Sequence, residues 1–339
     1  MIKEAIAKVV DYYDLKEDEM VGVMDEIMSG NATQAQIAAF ITALRMKGET
    51  VDEITGAARV MRSKATKVNA SDRGKILVDS VGTGGDASGT FNVSTTSSFI
   101  IAGAGVPVAK HGNRSISSHC GSADVLEALG VDLNLTAKQI GQCVRRLGIG
   151  FMFAPVLHSA MRYAIGPRKE IGVRTLFNLL GPLTNPAGAN VYILGVYSLD
   201  LLEKLAGVLA RLEVKRALVV WGEGGIDEIT VTGKTSIADL KKGGITCYSV
   251  SPEDVGFRRA SLVDIRGGQT AEESAVQLRS VLEGKPGPCL DMALMNAGAA
   301  LMAAGEACDL KEGVILARQT VGSGAALRKL EELIAYEPT

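Results

Sequence analysis

Near residue 75 the hydrophobic pattern of the chain changes its period. Before that point the apolar residues keep helical spacing only: Ile2, Ile6, Val9 and Val10 in one run, then Val21, Val23, Met24, Ile27 and Met28 in the next. Ser29-Gly30-Asn31 breaks the second run, Thr33 is a candidate N-cap for a helix from Gln36 to Met46, and Gly48 ends that helix. Thr50 followed by Glu53 is the capping-box pattern for a further helix. Beyond Lys75, short apolar stretches alternate with helical patterns. Ile76-Leu77-Val78, Val106-Pro107-Val108-Ala109, Tyr192–Val196 and Ala217–Trp221 read as buried strands, and helical crossovers between them imply a largely parallel sheet. The predicted class is therefore α/β: an all-helical N-terminal domain (1–70), a linker near 69–74, and a larger α/β domain (75–339) with a mostly parallel central sheet. A later helical segment near 165–190 could rejoin the first domain.

Composition narrows the function classes. Lys plus Arg is 36 against 38 for Asp plus Glu, a net charge of −2, which argues against a general nucleic-acid binder. No uncharged apolar run approaches the roughly 20 residues of a membrane helix, and the charged N-terminus does not read as a secretory signal. Five scattered cysteines without a CxxC pair suggest neither a disulfide framework nor a zinc site, so a reducing cytoplasm is expected. Glycine is high, 39 of 339 residues against about 7% usually, and points to tight turns and close backbone approaches.

Three segments could carry chemistry. The stretch Ser80-Val81-Gly82-Thr83-Gly84-Gly85-Asp86 follows a strand, and Thr90, Asn92, Ser94 and Thr95 then open an apolar helix. A glycine-rich turn at a helix N-terminus cradles anions through backbone N–H groups. A plain strand–helix turn would use the same glycines, and neither GxxxxGK[ST] nor GxGxxG is present. Lys110-His111-Gly112-Asn113-Arg114-Ser115-Ile116-Ser117-Ser118 is a second polar cluster, with Ser122 ahead of another helix. Two such clusters at the carboxyl edge of a parallel sheet suggest a polyphosphate ligand. Asp227-Glu228, in a glycine-loosened loop after the strand ending at Trp221, could hold the hard cation such a ligand uses, or could be solvated turn acids. Arg168 and Arg174 lie in the segment 166–186, whose prolines and glycines are read as a rigid turn; either could pair with a carboxylate or be structural.

Taken together, GTGGD (82–86), NVST (92–95), KHGNR (110–114), RTLFNLLGPLTNP (174–186) and the acidic pair resemble anthranilate phosphoribosyltransferases, as does the helical opening AQIAAFITALRMKGET (35–50). The resemblance implies a fold related to pyrimidine nucleoside phosphorylases. It also implies transfer of phosphoribose from phosphoribosyl pyrophosphate to the amino group of anthranilate in tryptophan biosynthesis, with Mg²⁺ and as a homodimer joined through the helical domain. By the resemblance, Gly82, Gly85, Asp86, Thr90, Asn92, Val93, Ser94 and Thr95 would hold phosphoribosyl pyrophosphate. Lys110 to Ser118 and Ser122 would hold it too. Ser94, Asp227 and Glu228 would bind Mg²⁺. Gly82, Asn113 and Arg168 would contact anthranilate, with His111 and His158 along its path, and Lys110, Asn113 and Arg114 would serve the reacting groups. His119-Cys120, and Ala325 where a lysine is common, depart from the pattern. The competing readings are a pyrimidine nucleoside phosphorylase-like enzyme and a non-catalytic, nucleic-acid-binding relative. No membrane partner is expected, and association with an anthranilate synthase is left open.

Overall fold

The structure, a computed structural model, describes residues 1–71, 74–86, 88–114 and 120–338. Four helices, Ile2–Val10, Glu17–Met28, Gln34–Lys47 and Val51–Lys64, open the chain. Two start as the capping patterns predict. Thr33 Oγ1 accepts from the Gln36 amide while the Gln36 side chain accepts from Thr33 N–H. Thr50 and Glu53 repeat the exchange, and buried Glu53 also accepts from the Leu15 amide and Lys47 Nζ, tying three segments together.

One seven-stranded sheet follows: β1 Val78–Gly82, β2 Val108–Gly112, β3 Ile149–Phe153, β4 Val191–Gly195, β5 Arg216–Gly222, β6 Thr235–Lys241 and β7 Gly244–Val250. Its order is β3-β2-β1-β4-β5-β6-β7. The first five strands are parallel, and β6 and β7 add an antiparallel edge. The chain builds outward from β1 to β3, then returns to lay β4 on the other side of β1. That reversal opens a crevice at the carboxyl ends of β1 and β4, where open α/β sheets bind ligands.

Strand side chains alternate between two apolar clusters. Tyr192, Leu194, Ala217 and Val219 join the cluster that also holds Phe40, Leu44 and Ile54 of the opening helices. Val191, Ile193, Leu218 and Val220 join the cluster built on the helices Val93–Gly103 and Pro288–Ala304. The helical unit joins the first of these clusters through the helix Leu202–Arg211, which packs on β5 and β6. The helices Arg162–Ile171 and Leu176–Leu183 return to pack against the helical unit.

Two sequence expectations are corrected. The strands predicted at Ile76–Val78 and Val106–Ala109 lie further along, so Lys110, His111 and Gly112 belong to β2 itself and not to a loop after it. Parallel pairing with β3 from Val108↔Ile149 to Gly112↔Phe153 overrides the polarity of those residues. The proline-rich turn is also helical: Pro167 and Pro182 sit inside the helices Arg162–Ile171 and Leu176–Leu183. There each ring frees the carbonyl four residues earlier, and burial of both prolines offsets that cost.

Candidate active site

The crevice is built around Asp227, which hangs over the ends of β1 and β4. A Cβ on Gly195 would lie 3.0 Å from Asp227 Cα and nearer still to its carbonyl, and one on Gly82 would lie 2.8 Å from Asp227 Cγ. Glycine at 195 admits the Asp227 backbone, and glycine at 82 leaves room for its carboxyl. Asp227 Oδ2 accepts from Gly84 N–H at 2.7 Å, and Glu228 Oε1 accepts from Ser94 N–H at 3.1 Å in the first turn of the helix Val93–Gly103. Thr83 N–H donates to Gly195 O and Thr83 Oγ1 accepts from Tyr197 N–H, fixing the loop to β4. Gly84 and Gly85 take φ of 69° and 71°, a conformation that favours glycine.

Lys110 enters from β2. It is 4% exposed, and its Nζ donates to Ser80 O at 2.6 Å and to Ser94 Oγ at 3.2 Å. Burial lowers its pKa, while Asp79, Glu228 and Asp227 oppose that shift. Burial raises both Asp227 and Glu228; Asp86 adds to the first and Asp227 to the second. Negative charge at this spot is therefore short of counter-charge. Asp86 turns to Ser88 Oγ and lies 3.5 Å from the Asp227 amide. Thr90 pairs with Arg266 across an isolated bridge, and Asn92 Nδ2 donates to Cys120 O. Ser88, Thr90, Asn92, Cys120 and Arg266 line a cavity of about 310 Å³. Val93 and Thr95 are buried in the first helical turn.

The neighbouring residue on β2 faces the other side of the sheet. His111 Nδ1 lies 3.2 Å from Gly181 O, and its ring stands 5.0 Å from that of His158. Burial, with His158 beside it, lowers His111 to about 3, and burial, with Lys67, lowers His158 to about 4. Both rings are neutral, and both Nε2 atoms are buried without a hydrogen-bond partner among the described residues. Arg168 stacks 5.3 Å over Phe177, one helical turn before Gly181. Burial lowers its pKa, and it makes no ion pair among the described residues. Arg168 and His111 thus line one side of the helix Leu176–Leu183.

Arg114 goes elsewhere. Its guanidinium donates to Asp124 at 2.9 Å and to Glu127 at 2.7 and 3.0 Å, on the helix Ser122–Ala128. Asn113 O accepts from Ser122 Oγ and Ala123 N–H, and Asn113 Oδ1 from Arg114 N–H. Gly112 lies against Ser122 and Phe151, where a Cβ would not fit. Ser115, Ile116, Ser117 and Ser118, with His119, lie outside the described residues. Asp79 and Asn185 were not among the expected site residues. Both are buried, and they hydrogen-bond each other at 2.7 Å directly beside β2. Asn185 lies in the GPLTNP run, but nothing local in sequence pairs it with Asp79.

Family models place these parts. Residues 3–65 match a glycosyl transferase family helical bundle domain and residues 74–327 a glycosyl transferase family a/b domain. Anthranilate phosphoribosyltransferase of Desulfotalea psychrophila is 60% identical over 336 residues, spanning 99% of this chain and 97% of that protein. The enzyme of Geobacter sulfurreducens is 56% identical over 346 residues, spanning 98% and 99%. The chain belongs to the anthranilate phosphoribosyltransferase family. Solved structures of the family superimpose throughout. The crystal structure of the Thermus thermophilus member matches with a TM-score of 0.92 at 45% identity, covering 98% of each chain. The Saccharomyces cerevisiae member, solved in complex with PRPP and Mg, matches at 0.90 and 28% identity over 98% of this chain and 96% of that one.

Proposed function

We propose that this chain transfers the phosphoribosyl group of phosphoribosyl pyrophosphate to the amino group of anthranilate, a step of tryptophan biosynthesis. The observation that carries the reading is β2: Lys110 faces Ser80 of β1 and Ser94 of the helix Val93–Gly103, while His111 faces His158 and the helix Leu176–Leu183, over whose Phe177 Arg168 stacks. Two chemically different pockets thus meet at one strand end. The polar side, with Lys110 and an acidic pair that wants a metal cation, suits the pyrophosphate donor. The side with neutral imidazoles and an arginine that has no ion pair among the described residues, beside a phenyl ring, suits a flat aromatic carboxylate.

The C1–O bond to pyrophosphate breaks as the C1–N bond forms, and the nitrogen loses a proton. An aromatic amine is neutral near pH 7, so positioning and charge stabilisation supply the catalysis. Lys110 Nζ and the amides of the 82–86 loop stabilise the departing charge. Arg168 pairs with the acceptor carboxylate, and Asn113, with Gly82, orients the amine toward C1. Gly85, Asp86, Thr90, Asn92 to Thr95, Gly112, the 114–118 run and Ser122 complete the donor site. Arg114 first has to leave Asp124 and Glu127.

Ser94, Asp227 and Glu228 fit Mg²⁺. All three offer hard oxygen donors, and burial leaves the two carboxyls wanting a cation. Among the described residues no cluster of three or more His, Cys, Asp or Glu side chains could hold a metal alone. Mg²⁺ commonly takes one or two carboxylates plus substrate phosphates. Bound there, it would neutralise charge on the leaving pyrophosphate.

A second copy docks on the helical domain. Val10, Tyr12, Tyr13 and Met46 stand exposed at the ends of two helices that pack together, an apolar patch that supports a homodimer. All five cysteines are free, which supports the cytoplasm as the working compartment. The deciding experiment is loss of anthranilate fluorescence on mixing with phosphoribosyl pyrophosphate, with and without Mg²⁺. Mg²⁺-dependent decay is expected, and no decay would remove the reading.

A further inference from the structure

β1 and β2 do not pair as the other parallel strands do. β2 with β3, β1 with β4 and β4 with β5 each register over five positions, but β1 meets β2 only at Val78↔Val108. Beyond that point side chains fill the ladder. Asp79 Oδ1 accepts from His111 N–H at 3.2 Å, and Asn185 Nδ2 donates to Ala109 O at 2.9 Å and to Asp79 Oδ2 at 2.7 Å. Ala187 N–H donates to Asn185 Oδ1 and fixes the amide orientation. On the β1 side, Ser80 O accepts from Lys110 Nζ. Backbone groups of a buried strand must find partners, and here they find the two side chains that stand on either side of Lys110 in the strand gap.

We propose that Asp79 and Asn185 form a wedge that parts β1 from β2 at the active-site edge and thereby positions Lys110 and His111 for the two substrates. Neither touches substrate; both act through β2. Asp79 holds the His111 amide, Asn185 holds Asp79 and the Ala109 carbonyl, and Lys110 reaches across the parted strands to Ser80 O and Ser94 Oγ. The proposal rests on the function assigned above and deepens it.

The test is a double-mutant cycle of Asp79→Asn with Lys110→Ala in the full-length protein. Asp79→Asn keeps the shape but sets one amide N–H group against another at Asn185. Turnover with phosphoribosyl pyrophosphate and anthranilate is measured, and donor affinity by calorimetry where turnover is lost. Asp79→Asn is expected to lower kcat at least tenfold, since small misplacements at a reacting centre are costly, and to lose most of that effect when Lys110 is already gone. Wild-type kcat in Asp79→Asn, or the same fold-loss in both backgrounds, overturns the proposal. Where Asp79→Asn does not fold, Asn185→Ala, which keeps the Asp79–His111 bond, enters the same cycle. Failure of both variants to fold would make the wedge a stability element only and overturn positioning. The wild type run alongside separates the two claims: no wild-type turnover defeats the function itself, whereas normal wild-type turnover with independent variants defeats only the wedge.

Discussion

Replacing Gly195 by alanine tests how Asp227 is held. The new methyl carbon would lie 3.0 Å from Asp227 Cα and overlap its carbonyl. Gly195 sits at the end of β4, clamped between β1 and β5, so the 227–228 segment has to yield and not the strand. Relief of the overlap requires Asp227 to move by about 1 Å or more, a displacement that costs on the order of 100-fold in turnover at a reacting centre. That factor corresponds to about 2.7 kcal/mol of transition-state stabilisation. The overlap also costs about 1–3 kcal/mol of stability, which a thermal melt reads separately. Gly82→Ala is the graded control. There the obstacle is the Asp227 carboxyl, 2.8 Å away at Cγ, which can swing off the Gly84 amide, so a smaller loss is expected. Initial rates of anthranilate fluorescence decay at saturating Mg²⁺ give the comparison. A folded Gly195→Ala protein with wild-type turnover would show that the placement of Asp227 does not govern the reaction.

Further outcomes follow from the same geometry. Asp227→Asn combined with Glu228→Gln removes both metal-directed carboxylates and is expected to abolish Mg²⁺-dependent turnover; Mg²⁺-dependent activity in the double variant would take the pair out of the site. Arg168→Ala is expected to raise KM for anthranilate at least tenfold and to leave KM for the donor alone, and an unchanged anthranilate KM would refute its pairing with the carboxylate. His158 is held neutral in the fold, with its pKa lowered to about 4. The unfolded chain takes up that proton near pH 6.5, so the stability is complete above pH 6.5 and is lost as pH falls toward 4. Between pH 7 and pH 5 the wild type is expected to lose about 2 kcal/mol more than His158→Gln. Urea unfolding at the two pH values measures this, and parallel losses would place a charged histidine in the fold.

Much of the architecture was legible because its signals are local. The exchanges at Thr33–Gln36 and Thr50–Glu53 span one helical turn, and both form as the residue types require. The glycine loop at 82–86 and the acidic pair at 227–228 could be read as neighbours of strand ends. What escaped reading depends on partners distant in sequence. Lys110 and His111 look like loop residues until β3 pairs with them and buries them. Only Gly148 separates Ile149–Phe153 from the helix Ala137–Leu147 before it, and the β6–β7 hairpin is polar enough to pass for loop. Asp79 and Asn185 are 106 residues apart, and no periodicity links them. Arg114 read as a free cation because its acidic partners lie in the following helix, ten and thirteen residues on.

The apolar cluster that runs unbroken from Phe40 and Ile54 to Leu194 and Val219 leaves no seam between the opening helices and the sheet. A molecule without a seam melts as one body. Amides of Phe40 and of Tyr192, far apart in the chain, should therefore exchange with solvent through the same rare global opening, and the N-terminal helices, cut free of the sheet, should not persist as an independent bundle.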